Sequence, residues 1–235
     1  MRLDAYRIIS AANRNTHILA IDYRGWGYSS GVPSEEGVIT DGLTALNWAI
    51  NTAGVDPSRV LLVGQSLGTA IATGVVTKYY EEQEGKPLAG LVLVAAFTSL
   101  RNVVGAYRMG GVLLLLGPLN VFPKAAEYLI HNFLRAEFNT AERIGRLARG
   151  TAGTNFSLTM VHALNDWEIP YQHSRDLFIS AGAGDINIKE TNSSSKVTRE
   201  IEGGRIRHIE TVWGGHNAIQ KSEAVLKAIL SAWRN

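Results

Sequence analysis

Three residue types, in one chain order and in turns that follow apolar runs, could carry out acyl transfer. Ser66 lies in Gly64-Gln65-Ser66-Leu67-Gly68, Asp166 in His162-Ala163-Leu164-Asn165-Asp166, and His216 in Trp213-Gly214-Gly215-His216-Asn217. A serine hydroxyl is a poor nucleophile until a base takes its proton. An imidazole does this best when a carboxylate fixes its tautomer and stabilises its charged form. The spacing assigns Ser66 as nucleophile, His216 as base and Asp166 as the acid that orients the base. The backbone N–H of Leu67, at the start of a helix, would face a developing oxyanion. Glu168 and Asp185 compete for the acid's role. His17, His131, His162, His173 and His208 lie in strands, helices or the 99–154 insertion rather than in a turn downstream of the acid, which leaves His216.

The flanking sequence must build turns that present these groups. Arg59-Val60-Leu61-Leu62-Val63 is an apolar run entering Gly-x-Ser-x-Gly, and Thr69-Ala70 begins a helix to about Glu82. Strand, sharp turn and helix together form the sequence signature of a nucleophile elbow. Gly64 and Gly68 are expected to be glycine because side chains there would collide with the neighbouring strand and helix. Buried strands are expected at 16–23, 88–97 and 156–162, and a strand near a sheet edge at 205–212. Helices are expected at 4–15, 34–51, 171–181 and 218–233. Strands alternating with helices predict a parallel sheet with right-handed crossovers. Asp22 and Arg24 read as an ion pair fixing a Gly-rich turn. Residues 182–204 are polar and read as a mobile surface loop. The 99–154 stretch shows no clear strand, an all-apolar run at 110–118, a helix at 128–138, and the position of a lid or cap. In this cap Val112, Leu113, Leu114, Leu115 and Leu116, with Gln65, are candidate substrate contacts.

Composition narrows the alternatives. The chain has 235 residues, a net charge of +2 and no cysteine, so one α/β domain fits, disulfides and thiolate metal sites are excluded, and no charge asymmetry suggests nucleic acid. No apolar run reaches the length of a membrane span, and the first residues do not form a signal peptide. No His/Asp/Glu cluster has metal-ligand spacing, and no cofactor is expected.

Asp22-Tyr23-Arg24-Gly25-Trp26-Gly27-Tyr28-Ser29, Pro33-Ser34-Glu35, Gly64-Gln65-Ser66-Leu67-Gly68-Thr69, His162 to Asp166 with Ile169-Pro170, and His216 resemble the α/β-hydrolase-domain serine lipases of the monoacylglycerol and lysophosphatidylserine branch. The resemblance implies an α/β-hydrolase fold, a mostly parallel doubly wound sheet with a helical cap. It implies ester hydrolysis of single-chain glycerolipids by Ser66, Asp166 and His216, membrane-surface contact through the cap, and anchoring at an endomembrane such as the ER. Gln65 stands where such proteins often have His, and Asn165 where an acidic residue is common. The family's His-Gly oxyanion pair precedes a helix that here begins near Leu3, so the second oxyanion donor has no residue in this sequence. A third strand, expected between those at 16–23 and 60–65, is likewise unmatched, which predicts a gap in the sheet and a longer parent protein. A protein acyl-thioesterase with the same triad, and an impaired remnant that only binds, are the competing expectations.

Overall fold

The computed structural model describes residues 2–13, 15–104, 108–109, 113–114, 137–182, 187–193, 196–203 and 205–233. Its centre is β1 (Leu61–Gln65), β2 (Gly90–Val94), β5 (Ser157–Ala163) and β8 (Ile206–Thr211), all parallel and adjacent in that order. β7 (Lys196–Gly203) and β6 (Asn187–Ser193) continue the sheet as an antiparallel hairpin beyond β8. β2 consists of Gly-Leu-Val-Leu-Val, buried at every position, as a strand covered on both faces requires.

Strand alternation divides these side chains between two cores. Leu91 and Leu93 point to one face with Leu158 and Met160, under α2 (Glu35–Asn47), α3 (Leu67–Glu82), α5 (Thr140–Gly150) and α6 (Gln172–Ser180). Val92 and Val94 point to the other with Val161 and Ile209, where α8 (Glu223–Ser231) brings Val225 and Ile229. Helices on both faces are the doubly wound arrangement expected from the sequence. Local signals set the ends. Ser34 caps α2 by accepting from Gly37 N–H at 3.1 Å, with Glu35 and Glu36 in the first turn. Ser222 caps α8 by accepting from Val225 N–H. Both caps satisfy donors that a helix leaves free. α1 (Arg2–Ala12) lies beside the turn at Ile219–Lys221, where Lys221 Nζ meets Asp4 Oδ2 at 2.7 Å.

Several expectations need correction. Residues 16–23 form no strand, and Ile18, Leu19 and Ile21 are exposed. Among the described residues no strand pairs with the outer edge of β1, and an isolated extended segment has no ladder to join. Val63 on β1 is accordingly 47% exposed. The segment read as a loop at 182–204 holds β6 and β7. Its Val, Ile and Thr residues are interspersed with charged ones, as an edge hairpin tolerates. Arg24 pairs with Asp41 of α2 through Nη2 and Oδ1 at 2.7 Å, rather than with Asp22. The Asp22 carboxylate instead accepts from Tyr28 N–H within the turn.

Within 99–154, α4 (Leu100–Val104) and α5 are helical, and β3 (Arg108–Met109) pairs antiparallel with β4 (Leu113–Leu114), where no strand was expected. Strands of two residues each are too short to register as a periodic pattern. Leu113 and Leu114 are thus in β4. Val112, Leu115, Leu116 and the helix expected over most of 128–138 fall outside the described residues.

Candidate active site

β1 delivers Ser66 directly into α3. Ser66 adopts φ 54° and ψ −127°, a conformation that costs an L-residue strain and recurs at functional turns. The turn is tied down from two sides. Ser66 N–H donates to Val94 O at 3.0 Å, and Thr69 donates to Ser66 O through its N–H at 2.8 Å and its hydroxyl at 2.6 Å. Gly64 permits the close approach: a Cβ there would lie 2.4 Å from Gly68 O and 2.8 Å from Thr69 Cα. Gly68 differs from expectation, because among the described residues a Cβ on it would meet nothing within 4 Å. Leu67 is the first residue of α3, where an N–H has no acceptor within the helix.

Asp166 follows β5, and its N–H donates to Ala163 O at 3.1 Å. Its Oδ1 accepts from the N–H groups of Glu168 and Ile169, both at 2.9 Å. His216 lies in a single helical turn, α7 (Gly215–Ala218), after β8. The chain enters it through Gly214 at φ 138° and Gly215 at φ 52°, where glycine avoids the Cβ penalty. Asn165 Oδ1 accepts from Gly215 N–H at 2.9 Å, and Gln65 Nε2 donates to His216 O at 2.8 Å. The loops after β1, β5 and β8 are therefore bonded to one another.

The outcome is a chain of three groups. His216 Nδ1 lies 2.9 Å from Asp166 Oδ2, and His216 Nε2 lies 2.9 Å from Ser66 Oγ. A carboxylate only accepts, so Nδ1 carries the proton and Nε2 is left to accept from Ser66. Burial alone would raise the Asp166 pKa. Hydrogen bonds from His162 and His216, the His216 charge and the Ile169 N–H outweigh it and hold the carboxyl far below the usual range. Burial alone would depress His216. The Asp166 hydrogen bond and charge, with the charge of Glu168, reverse this and raise its pKa. An ionised acid and a basic imidazole on a serine hydroxyl can transfer a proton from that hydroxyl as it attacks a carbonyl.

Residues 3–207 match the alpha/beta hydrolase family. The chain belongs to that family. Lysophosphatidylserine lipase ABHD12 of Bos taurus is 28% identical over 179 residues, which cover 75% of this chain and 40% of that protein. Protein ABHD12B of Homo sapiens is 38% identical over 99 residues, 42% of this chain and 26% of that one. The chain thus spans about two-fifths of the length of such lysophosphatidylserine lipases. Among solved structures, an alpha-beta hydrolase from Vibrio vulnificus superposes with a TM-score of 0.59 at 22% identity, covering 89% of this chain and 61% of its own. An esterase domain of a Rhodothermus marinus protein superposes at 0.54 and 17% identity, covering 98% and 79%. These superpositions speak to the fold.

Of the residues singled out by sequence, the structure brings Ser66, Asp166 and His216 together and places Leu67 beside them. Gln65, taken as a substrate contact, uses its amide nitrogen to hold the His216 loop. Two further groups carry little sequence signal. Asn165 stands out in the sequence only as a departure from the family pattern, yet its side chain fixes Gly215. His162 reads as a strand residue, yet it reaches Asp166. Its signal was a histidine at the inner end of a buried strand, four residues before the acid.

Proposed function

We propose that this hydrolase-family chain is a serine esterase acting on single-chain glycerolipids, monoacylglycerols or lysophospholipids. The observation that carries the reading is the pair of 2.9 Å contacts linking Asp166, His216 and Ser66. Ser66 Oγ attacks the ester carbonyl while His216 Nε2 takes its proton. Asp166 holds the imidazole and stabilises its charged form. The Leu67 N–H supplies one donor to the oxyanion. The tetrahedral intermediate collapses with the proton passing from His216 to the departing alcohol, leaving an acyl-Ser66 that water cleaves by the same route in reverse. The similarity to lysophosphatidylserine lipases over 75% of the chain supports a lipid ester as substrate, and such a substrate is met at a membrane surface.

The test is release of fatty acid from a monoacylglycerol, a lysophosphatidylserine, a diacyl phospholipid and an S-acylated peptide, with Ser66→Ala as control. Preferential, Ser66-dependent cleavage of the two single-chain lipids is expected. Preference for the thioester peptide would instead make the protein a deacylase, and cleavage of none of the four would refute the reading.

A further inference from the structure

Asp166 lies between two imidazoles. His216 meets its Oδ2 at 2.9 Å, and His162 Nε2 lies 3.3 Å from the same oxygen. His162 is on β5 and fully buried. Its Nε2 is also 3.0 Å from Ile169 O, and its Nδ1 bonds to Ser174 Oγ on α6. Carbonyl and carboxylate oxygens only accept, so Nε2 must carry a hydrogen. The Ser174 hydroxyl can then donate to Nδ1, and the neutral ring is satisfied at both nitrogens. The carboxylate is also fully engaged: Oδ1 takes two backbone N–H groups and Oδ2 faces two imidazoles.

We infer that His162 is a positioning residue for the triad, a neutral Nε2–H imidazole that shares its proton between Ile169 O and Asp166 Oδ2 and so fixes the carboxylate facing His216. The inference rests on reading Ser66, His216 and Asp166 as the reacting groups. It has an electrostatic consequence. Each hydrogen bond that Asp166 accepts makes it a weaker base, so it holds the His216 imidazolium less tightly. The charged and titratable groups around this arrangement come from several elements. Glu168 faces His216, and His173 faces His162 with Asp176 beside it. Glu210 of β8 is the register partner of His162 and pairs with Arg175 of α6. His173 Nδ1 is itself bonded to Thr98 Oγ1 at 3.1 Å.

The test is NMR titration of the 15N-histidine-labelled chain. His162 should show the Nε2–H tautomer. His162→Leu should raise the His216 midpoint by roughly half a pH unit. His162→Gln, whose amide nitrogen reaches where Nε2 lies, should return it towards wild type. A purely structural role for His162 would not give this shift and rescue. Ser174→Ala removes one hydroxyl and keeps the ring, so it covers the case in which His162→Leu fails to fold; its shift should be upward and smaller. A His216 midpoint that stays or falls in these variants, or an Nδ1–H tautomer at His162, overturns the inference. Fluorophosphonate labelling separates the two readings. A wild-type chain that shows these titrations but takes no label keeps the His162 arrangement and loses the serine-esterase reading.

Discussion

His216 can accept the Ser66 proton only while its imidazole is neutral, so activity must fall as pH drops through its pKa. Asp166 and Glu168 both raise that pKa, which places the acid limb above the ordinary histidine value. Glu168 is the separable contributor, since it acts on His216 through its charge, and its Oε1 accepts from Asn217 Nδ2 at 3.3 Å. Glu168→Gln keeps an acceptor for Asn217 and removes the charge. The acid limb of fluorophosphonate labelling should therefore move to lower pH, with the plateau rate changed by no more than about twofold. An acid limb that stays or moves up would contradict this electrostatic account. At this scale the sequence was informative where chain order and turn context constrain chemistry, as for Ser66, Asp166 and His216. It was silent where a side chain's use depends on a distant loop. Gln65 and His216 are 151 positions apart, and nothing local to Gln65 announces its bond to the His216 carbonyl.

The elbow between β1 and α3 stores backbone strain and survives because Gly64 lets the first turn of α3 pass close to the strand. A Cβ at Gly64 would meet backbone atoms, which cannot swing aside, whereas one at Gly68 meets nothing among the described residues. Gly64→Ala should cost about 1–3 kcal/mol of stability and slow labelling sharply, because Ser66 itself would be displaced. Gly68→Ala should be within about 0.5 kcal/mol of wild type or slightly stabilising, since alanine is the better helix former. Urea denaturation of the two variants checks both, and equal losses would contradict the asymmetry. The motif made the two glycines look equivalent. Their difference comes from which neighbours reach each position. The β6–β7 hairpin was hidden for a related reason. Its sequence is polar enough to read as a loop, and only pairing with β8 makes it a strand.

Across the whole molecule, the sheet explains why three loops far apart in sequence converge. Parallel strands end on one side, and β1, β5 and β8 carry Ser66, Asp166 and His216 just past their C-terminal ends, where open α/β sheets place their sites. The alternation of apolar strands and helices made this legible. The run at 16–23 has strand composition too, but composition alone does not pair a strand, and Ile18, Leu19 and Ile21 lie exposed. The central claim is that this architecture activates Ser66, and the most direct measurement is fluorophosphonate labelling followed by peptide mapping. The account predicts a single covalent adduct on Ser66, lost in Ser66→Ala and slowed by several orders of magnitude in His216→Ala, as expected for groups that act as a unit. No adduct, or an adduct on another serine that persists in Ser66→Ala, would contradict it.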